Sequence, residues 1–255
     1  MTISRHRRIA DFANRLLTRF GYTILPNWRI ENWGLAAHLH KIFTNFDVDC
    51  VLDVGANNGG YARFLRHEVG YDGLILSFEP IAQMVDECRR LGSSDPRWQV
   101  FPYALGSENC EKEINVAAYP QFSSFLQQAD SVPSAFENLI RTTSQQRVEV
   151  RRLDEILPDL IAQFDYRRPY LKIDTQGFDL AVIEGAGHFL RTMVAAQTEL
   201  SFRPIYNSMP SWRTVLNTLE ASHFSISNMF AINADPAMRA IEFDCVLVND
   251  RIADG

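Results

Sequence analysis

Apolar residues recur along this chain with two periods, and their alternation sets out an architecture before any motif is considered. Ile9, Phe12, Ala13, Leu16, Leu17 and Phe20 fall at helical spacing and predict an amphipathic helix over residues 9–20, stopped by Gly21. A second helical stretch is expected near 33–46. Short apolar runs then alternate with helical ones: strand 50–54, helix 60–68, strand 74–79, helix 82–91 and strand 98–105. Residues 106–147 read as more irregular, with a charged hairpin-like piece and a Ser/Gln-rich loop. Val148-Glu-Val-Arg-Arg-Leu153 alternates like a half-exposed strand and leads into a helix at 154–163. Strand 170–175, helix 179–190, strand 195–202 and helix 211–221 follow, and two strands, 223–230 and 242–249, close the chain with no helix between them. Alternating β and α predicts an α/β fold with a Rossmann-like, doubly wound, mostly parallel sheet. The last two strands predict an antiparallel pair added to it. Residues 1–49 read as an N-terminal helical extension and 50–255 as one domain.

The most informative segment is Cys50-Val-Leu-Asp53-Val-Gly55-Ala-Asn57-Asn58-Gly59-Gly60-Tyr61, where an apolar run ends in an acid and opens into a glycine turn. Glycines there let a ligand approach the backbone, and a helix N-terminus offers free N–H groups. The dinucleotide fingerprint G-x-G-x-x-G does not match. Asp53, Gly55, Asn57 and Gly59 instead follow the acid, +2, +4, +6 spacing of an S-adenosylmethionine loop, with Asn57 in the middle glycine's place. Asn is among the few residues that tolerate left-handed backbone angles. The second strand delivers Glu79 at its end, and an acid about 20 residues past the first turn is the usual device for a ribose diol. A plain turn with a helix-capping acid is the alternative reading. The terminal strand pair separates methyltransferase sheets from dehydrogenase sheets and favours S-adenosylmethionine over NAD.

Composition narrows the picture further. The chain of 255 residues, 46% hydrophobic, is long enough to bury a full core. No run of about 18 apolar residues is present. The basic start Ser4-Arg-His-Arg-Arg8 lacks the apolar stretch of a secretory signal. Four scattered cysteines without a C-x-x-C pair suit a reducing, cytoplasmic setting. A net charge of −6 argues against nucleic acid as a partner, as does the absence of a Pro-Pro dipeptide and of any cysteine following a proline. Arg5, Arg7, Arg8, Arg15 and Arg19 accompany the first apolar stripe. That stripe suits packing on its own domain or on a second copy, as a homodimer, more than weak peripheral contact between residues 5–20 and an anionic membrane. His38 and His40 have no metal-like company, His188 reads as a surface or packing histidine more than a base, and His223, at the start of a late strand, is left without a role.

Between residues 50 and about 202 the chain resembles the FkbM family of S-adenosylmethionine-dependent methyltransferases. The matching pieces are Asp53-Val-Gly-Ala-Asn57-x-Gly59, Phe78-Glu79-Pro80, Tyr103-Ala-Leu-Gly106 and Ser123-Ser124. Further on come Leu153-Asp-Glu155, Leu171-Lys-Ile-Asp-Thr-Gln-Gly177, Glu184-Gly-Ala186 and Thr198-Glu199-Leu. One departure is Asp179, where the family usually has Glu. The resemblance implies methyl transfer to a hydroxyl oxygen of a sugar, glycan or related natural product, lipid-linked acceptors included. It places Asp53, Gly55, Asn57, Gly59, Glu79 and Ala104 beside the cofactor. A sugar hydroxyl is a poor neutral nucleophile, so a base or a metal is expected to assist. Asp174 and Glu199 are the candidates, at the ends of neighbouring strands where open α/β sheets bind ligands. They can share a proton, or hold a hard cation such as Mg²⁺. Alternatively, Asp174 orients the methionyl amine and Glu199 caps or pairs with Lys172, since a buried lysine must find an acid. Arg203 and Tyr206 are expected only as substrate contacts. A non-catalytic cofactor-binding or scaffold subunit, or an NAD-linked oxidoreductase, is the reading from another class.

Overall fold

The computed structural model describes residues 19, 21, 27–130, 132–133 and 136–253. Apart from Arg19, the amphipathic helix expected over 9–20 and its basic residues lie outside the described residues. The chain opens with α1 (Asn27–Asn45), β1 (Cys50–Val54), α2 (Gly60–Phe64, continued as a wider π-turn over Leu65–Val69) and β2 (Leu74–Phe78). Next come α3 (Ala82–Gly92), β3 (Trp98–Phe101), β4 (Ala104–Leu105), β5 (Cys110–Ala117) and β6 (Thr142–Arg151). The second half holds α4 (Leu153–Phe164), β7 (Pro169–Ile173), α5 (Asp179–Ala186), β8 (Ala195–Ser201) and α6 (Trp212–Ala221), then β9 (Phe224–Ala234), β10 (Ala240–Asn249) and α7 (Asp250–Ala253).

The main sheet has seven strands in the order β3-β2-β1-β7-β8-β10-β9. β3, β2, β1, β7 and β8 run parallel, and β10 lies antiparallel between β8 and β9. The terminal strands thus form the expected antiparallel pair, with β10 tucked inside the edge. β1 is buried at all five positions, as a strand covered on both faces must be. Helices cover both faces. On one, α4, α5 and α6 contribute Leu153, Leu157, Val182, Ile183 and Leu219 to the core. On the other, α1 and α2 pack Leu39, Ile42, Phe43, Ala62 and Leu65 against Val51 and Tyr170. α1 is therefore part of the domain's core. Among the described residues no helix is long and apolar enough to cross a membrane.

The strand order reverses between β1 and β7, so the chain leaves their C-terminal ends in opposite directions and opens a crevice there. Gly55 follows β1 and Asp174 follows β7, and both lie at that crevice. Contact between the two ends is intimate. A Cβ on Gly55 (φ +78°) would meet the Asp174 carbonyl oxygen at 1.9 Å, which is why glycine stands here.

Two regions depart from the pattern read in the sequence. The strand expected over 98–105 is broken at Pro102, which has no N–H to continue a ladder, and its last two residues join another sheet as β4. That second sheet, ordered β4-β6-β5, occupies the stretch expected to be irregular. Glu111, Lys112 and Glu113 in β5 are of types depleted in strands, and the run Thr142–Gln146 in β6 is polar at every position and shows no apolar alternation, so their ladder was hidden. The small sheet matters to function because Ala104, Leu105 and Ile114 wall one side of the crevice.

Candidate active site

The turn after β1 is fixed from both sides. Gly55 and Ala56 donate to the Phe78 carbonyl at 3.0 and 3.2 Å, fastening the turn to the end of β2. Asn57 adopts φ 47°, the left-handed angle anticipated for a residue standing in a glycine's place. Its N–H donates to Glu79 Oε2 at 2.7 Å, while Ile81 N–H donates to Oε1 at 2.8 Å. Glu79 is thus a clasp between the first two loops, and each oxygen keeps a lone pair for a further donor. Burial pushes its pKa up to about 7, against the pull of those two N–H groups.

A cavity of about 610 Å³ opens from this turn. Gly55, Asn57, Glu79 and Ala104 line it, with Phe78, Ile81 and Leu105 as apolar walls, and so do Asp174, Thr175 and Gln176. Two of the lining residues carry buried side-chain oxygens without a partner, Asn57 Oδ1 and Thr175 Oγ1. An acid with free lone pairs, an apolar slot and two unanswered polar atoms fit a ligand with a ribose, an adenine and an aminocarboxyl tail. Gly59 (φ +77°) shapes the turn from behind, against the Trp98 ring. Asp53 is placed differently from expectation. It is fully buried and does not line the cavity; its Oδ2 accepts from Ser77 Oγ at 2.8 Å and its Oδ1 lies 3.4 Å from Lys172 Nζ.

Lys172 is the hub beneath this cavity. Its Nζ lies 3.4 Å from Asp53, 3.4 Å from Asp174 Oδ2 and 3.4 Å from the Gly55 carbonyl. Burial works to lower its pKa, but Asp174 and Asp53 more than offset that and hold the amine above its ordinary value. The expected lysine–acid pair exists, then, with Asp53 and Asp174 and not with Glu199.

A second cavity of about 970 Å³ adjoins the first. Asp174, Gln176 and Gln121 line both. Its polar end is made by Glu199, Glu242 and Asn233, and its walls by Phe122, Phe136, Ile232 and Ile241. Gln176 organises the junction: its Nε2 donates to Asp174 Oδ1 at 3.1 Å and Glu199 Oε1 at 3.3 Å. Gln176 itself sits at φ 52°, an uncommon angle that its neighbours hold in place. Ser124 Oγ donates to its carbonyl at 2.7 Å, and Tyr206 OH is shared between its Oε1 at 3.0 Å and the Phe122 carbonyl at 2.7 Å.

Asp174 and Glu199 are therefore brought together through an amide rather than face to face. Among the described residues no group of three or more His, Cys, Asp or Glu side chains is arranged to hold a metal ion, so the Mg²⁺ option finds no ligand set. Tyr206 acts behind Gln176 and is not part of either cavity wall. Arg203 is turned away, its Nη1 3.0 Å from Asp235. Asp179 is also structural. Its carboxylate accepts from Gly177 N–H at 3.2 Å and from Thr175 N–H at 3.5 Å, holding the turn after β7, a task for which a short acid suffices. Glu242 and Gln121 carried no sequence signal, and Gln176 stood inside the Leu171–Gly177 motif with no role assigned to it. Glu242 is buried and hydrogen-bonded to Asn233 at 2.7 Å and to Glu199. Burial, then Asp174 and Glu242, raise Glu199 well above the usual carboxylate range, which favours a protonated Glu199 donating a hydrogen bond to Glu242.

A mostly parallel doubly wound sheet with an antiparallel last strand, and a glycine turn facing an acid across the crevice, together describe the fold class of S-adenosylmethionine-dependent methyltransferases. The family model for the methyltransferase FkbM domain matches residues 53–226, and the chain belongs to that family. No curated protein matches the sequence. Solved structures similar to it include a methyltransferase FkbM from Methylobacillus flagellatus, at 14% identity and TM-score 0.47 over 78% of this chain and 44% of that one. Another is fibrillarin from Aeropyrum pernix with natively bound S-adenosyl-L-methionine, at 12% identity and TM-score 0.45 over 78% of this chain and 66% of that one. A third is magnesium protoporphyrin IX methyltransferase from Synechocystis with bound S-adenosylmethionine, at 9% identity and TM-score 0.45 over 98% and 99% of the two chains. This chain thus spans less than half of the Methylobacillus structure.

Two predictions follow from the buried charges. Lys172→Met leaves Asp53 as an uncompensated buried carboxylate and should lower stability by roughly 3–5 kcal/mol in urea unfolding. Adding Asp53→Asn should return part of that loss, and simple additivity of the two losses would show the pair to be uncoupled. The second concerns pH. Glu79 is raised to about 7, and Asp179 and Asp244 to about 6, all by burial first. Their unfolded values are lower, so their contribution is complete below about pH 4 and lost as pH rises through 6–7. Urea midpoints should fall between pH 5 and pH 8, and Glu79→Gln should flatten the upper part of that fall; a midpoint rising across this range contradicts the assignment.

Proposed function

We propose that the protein transfers a methyl group to a hydroxyl oxygen, on a sugar, glycan or related natural product, with Asp174 as the base that receives the hydroxyl proton. The observation that carries this reading is that Asp174 and Gln176 line both cavities. A group held there faces the cofactor's cavity on one side and the acceptor's on the other.

Glu79 would hold the ribose hydroxyls, Ala104, Leu105 and Ile81 the adenine, and the Asp174–Gln176 segment with Thr175 Oγ1 the aminocarboxyl tail. When bound, S-adenosylmethionine supplies a sulfonium methyl that is already electrophilic. The protein's remaining work is to seat an acceptor oxygen in line with that methyl and to take its proton. Asp174 is oriented for this by two neighbours, Lys172 at Oδ2 and the Gln176 amide at Oδ1. Tyr206 fixes that amide, so it is a positioning residue. Phe122, Phe136 and Ile241 exclude water from the acceptor's apolar face while Asn233 and Gln121 offer hydrogen bonds, a mixture that suits a ring bearing hydroxyls.

The test is incubation of the full chain with S-adenosylmethionine and a panel of glycosides, read by gain of one methyl and by the atom that carries it. An O-methyl product is expected. Glu79→Ala should weaken binding of S-adenosylhomocysteine by about tenfold or more, as seen in thermal shift and calorimetry. A methyl found only on nitrogen or carbon, or stabilisation by NAD in place of S-adenosylhomocysteine, overturns the reading.

A further inference from the structure

The larger cavity is charged in one direction. Asp174, Glu199 and Glu242 line it, and among the described residues no lysine, arginine or histidine does. Asp174 has Lys172 as its counter-charge. Glu199 and Glu242 have none among the described residues. Arg203 and Arg239, on the segments leaving β8 and entering β10, are both held by Asp235 at 3.0 and 2.7 Å. Two carboxylates lining one cavity repel each other when both are ionised, and sharing a proton relieves that repulsion when no cation is present. The same cavity is also lined by the rings of Phe122 and Phe136, set edge to face with centroids 5.7 Å apart. Ring faces attract a cation within about 6 Å of the centroid. Carboxylates and aromatic rings in one cavity form the composition of an ammonium pocket, and Asp174, where methyl transfer would occur, lines the same cavity.

We infer that the Glu199–Glu242 pair is an ammonium subsite, so that the acceptor is an amine-bearing polyol such as an amino sugar, its amine seated on the two glutamates and its hydroxyl beside Asp174. This rests on reading the larger cavity as the acceptor's. The chemistry is an exchange of charge: the protonated amine takes the place of the shared proton, which leaves to solvent, and both carboxylates then face one cation. Asn233, which donates to Glu242 Oε2 at 2.7 Å, holds that carboxylate toward the cavity in either state. The inference also sets what is refused. A uronate or a sugar phosphate would bring an anion against three acids, and such like-charge contact is unfavourable.

The experiment measures binding to the full chain saturated with S-adenosylhomocysteine, using probes that differ only in charge: 2-aminoethanol, ethylene glycol and glycolate, then glucosamine, glucose and glucuronate. The amines should bind at least about tenfold more tightly than their neutral counterparts, and the anions should not bind measurably. Glu242→Gln should erase the amine preference while still being stabilised by S-adenosylhomocysteine, which shows that the variant is folded. Equal binding of amine and neutral probes, no binding of either amine, or a preference that survives Glu242→Gln overturns the inference. A wild-type chain that fails to respond to S-adenosylhomocysteine instead removes the methyltransferase reading on which it rests.

Discussion

One buried amine ties this structure together. Lys172 reaches Asp53 on β1, Asp174 at the end of β7 and the carbonyl of Gly55 in the turn, and its ammonium lies 5.0 Å from the Tyr61 ring centroid. Those groups come from the two strands between which the sheet reverses its order, the position where an open α/β sheet binds ligands. A charge so placed is costly to bury alone, and it persists because two carboxylates and a carbonyl answer it. In return it sets the height of Asp174 relative to the glycine turn. The close approach of Gly55 to the Asp174 carbonyl leaves that height no slack.

From that anchor the site extends in one direction. Lys172 takes one oxygen of Asp174, the Gln176 amide takes the other, and Gln176 is itself held by Ser124 and Tyr206 from two further segments. Asp174 is thus held directly from β7 and, through Gln176, by the loop before β6 and the loop after β8. A base must be held still to be useful, because orientation supplies much of the rate when the methyl donor needs no activation. Glu199, the second candidate carboxylate, reaches Asp174 only through the Gln176 amide and stands with Glu242 in the larger cavity.

What was legible in the sequence was local. The turn could be read because Asp53, Gly55, Asn57 and Gly59 lie within one short segment, and the left-handed angle of Asn57 follows from its own chemistry. Glu79 could be read because an acid directly after a strand has few places to go. Asp53 was harder, since spacing cannot tell an acid that faces a ligand from one that faces a lysine on the next strand. Glu242 was out of reach, because its meeting with Glu199 depends on how β10 registers against β8, with Asp244 opposite Glu199 and Glu242 opposite Ser201. Arg203 and Tyr206 show the same limit within one loop: three residues apart, one turns to Asp235 and the other to Gln176. The small sheet was hidden for another reason, its polar composition concealing a ladder that packing against the core makes stable.

The central claim is that Asp174 serves the acceptor side of the reaction from a place the cofactor side also reaches. The most direct measurement is single-turnover methyl transfer by Asp174→Asn, with S-adenosylhomocysteine affinity determined on the same preparation. The variant keeps the side chain's shape and can still accept from Gln176, so the account predicts a transfer rate lower by about 100-fold or more with cofactor affinity changed by no more than a few fold. A variant that transfers at the wild-type rate, or one that loses cofactor binding and transfer together, would contradict it.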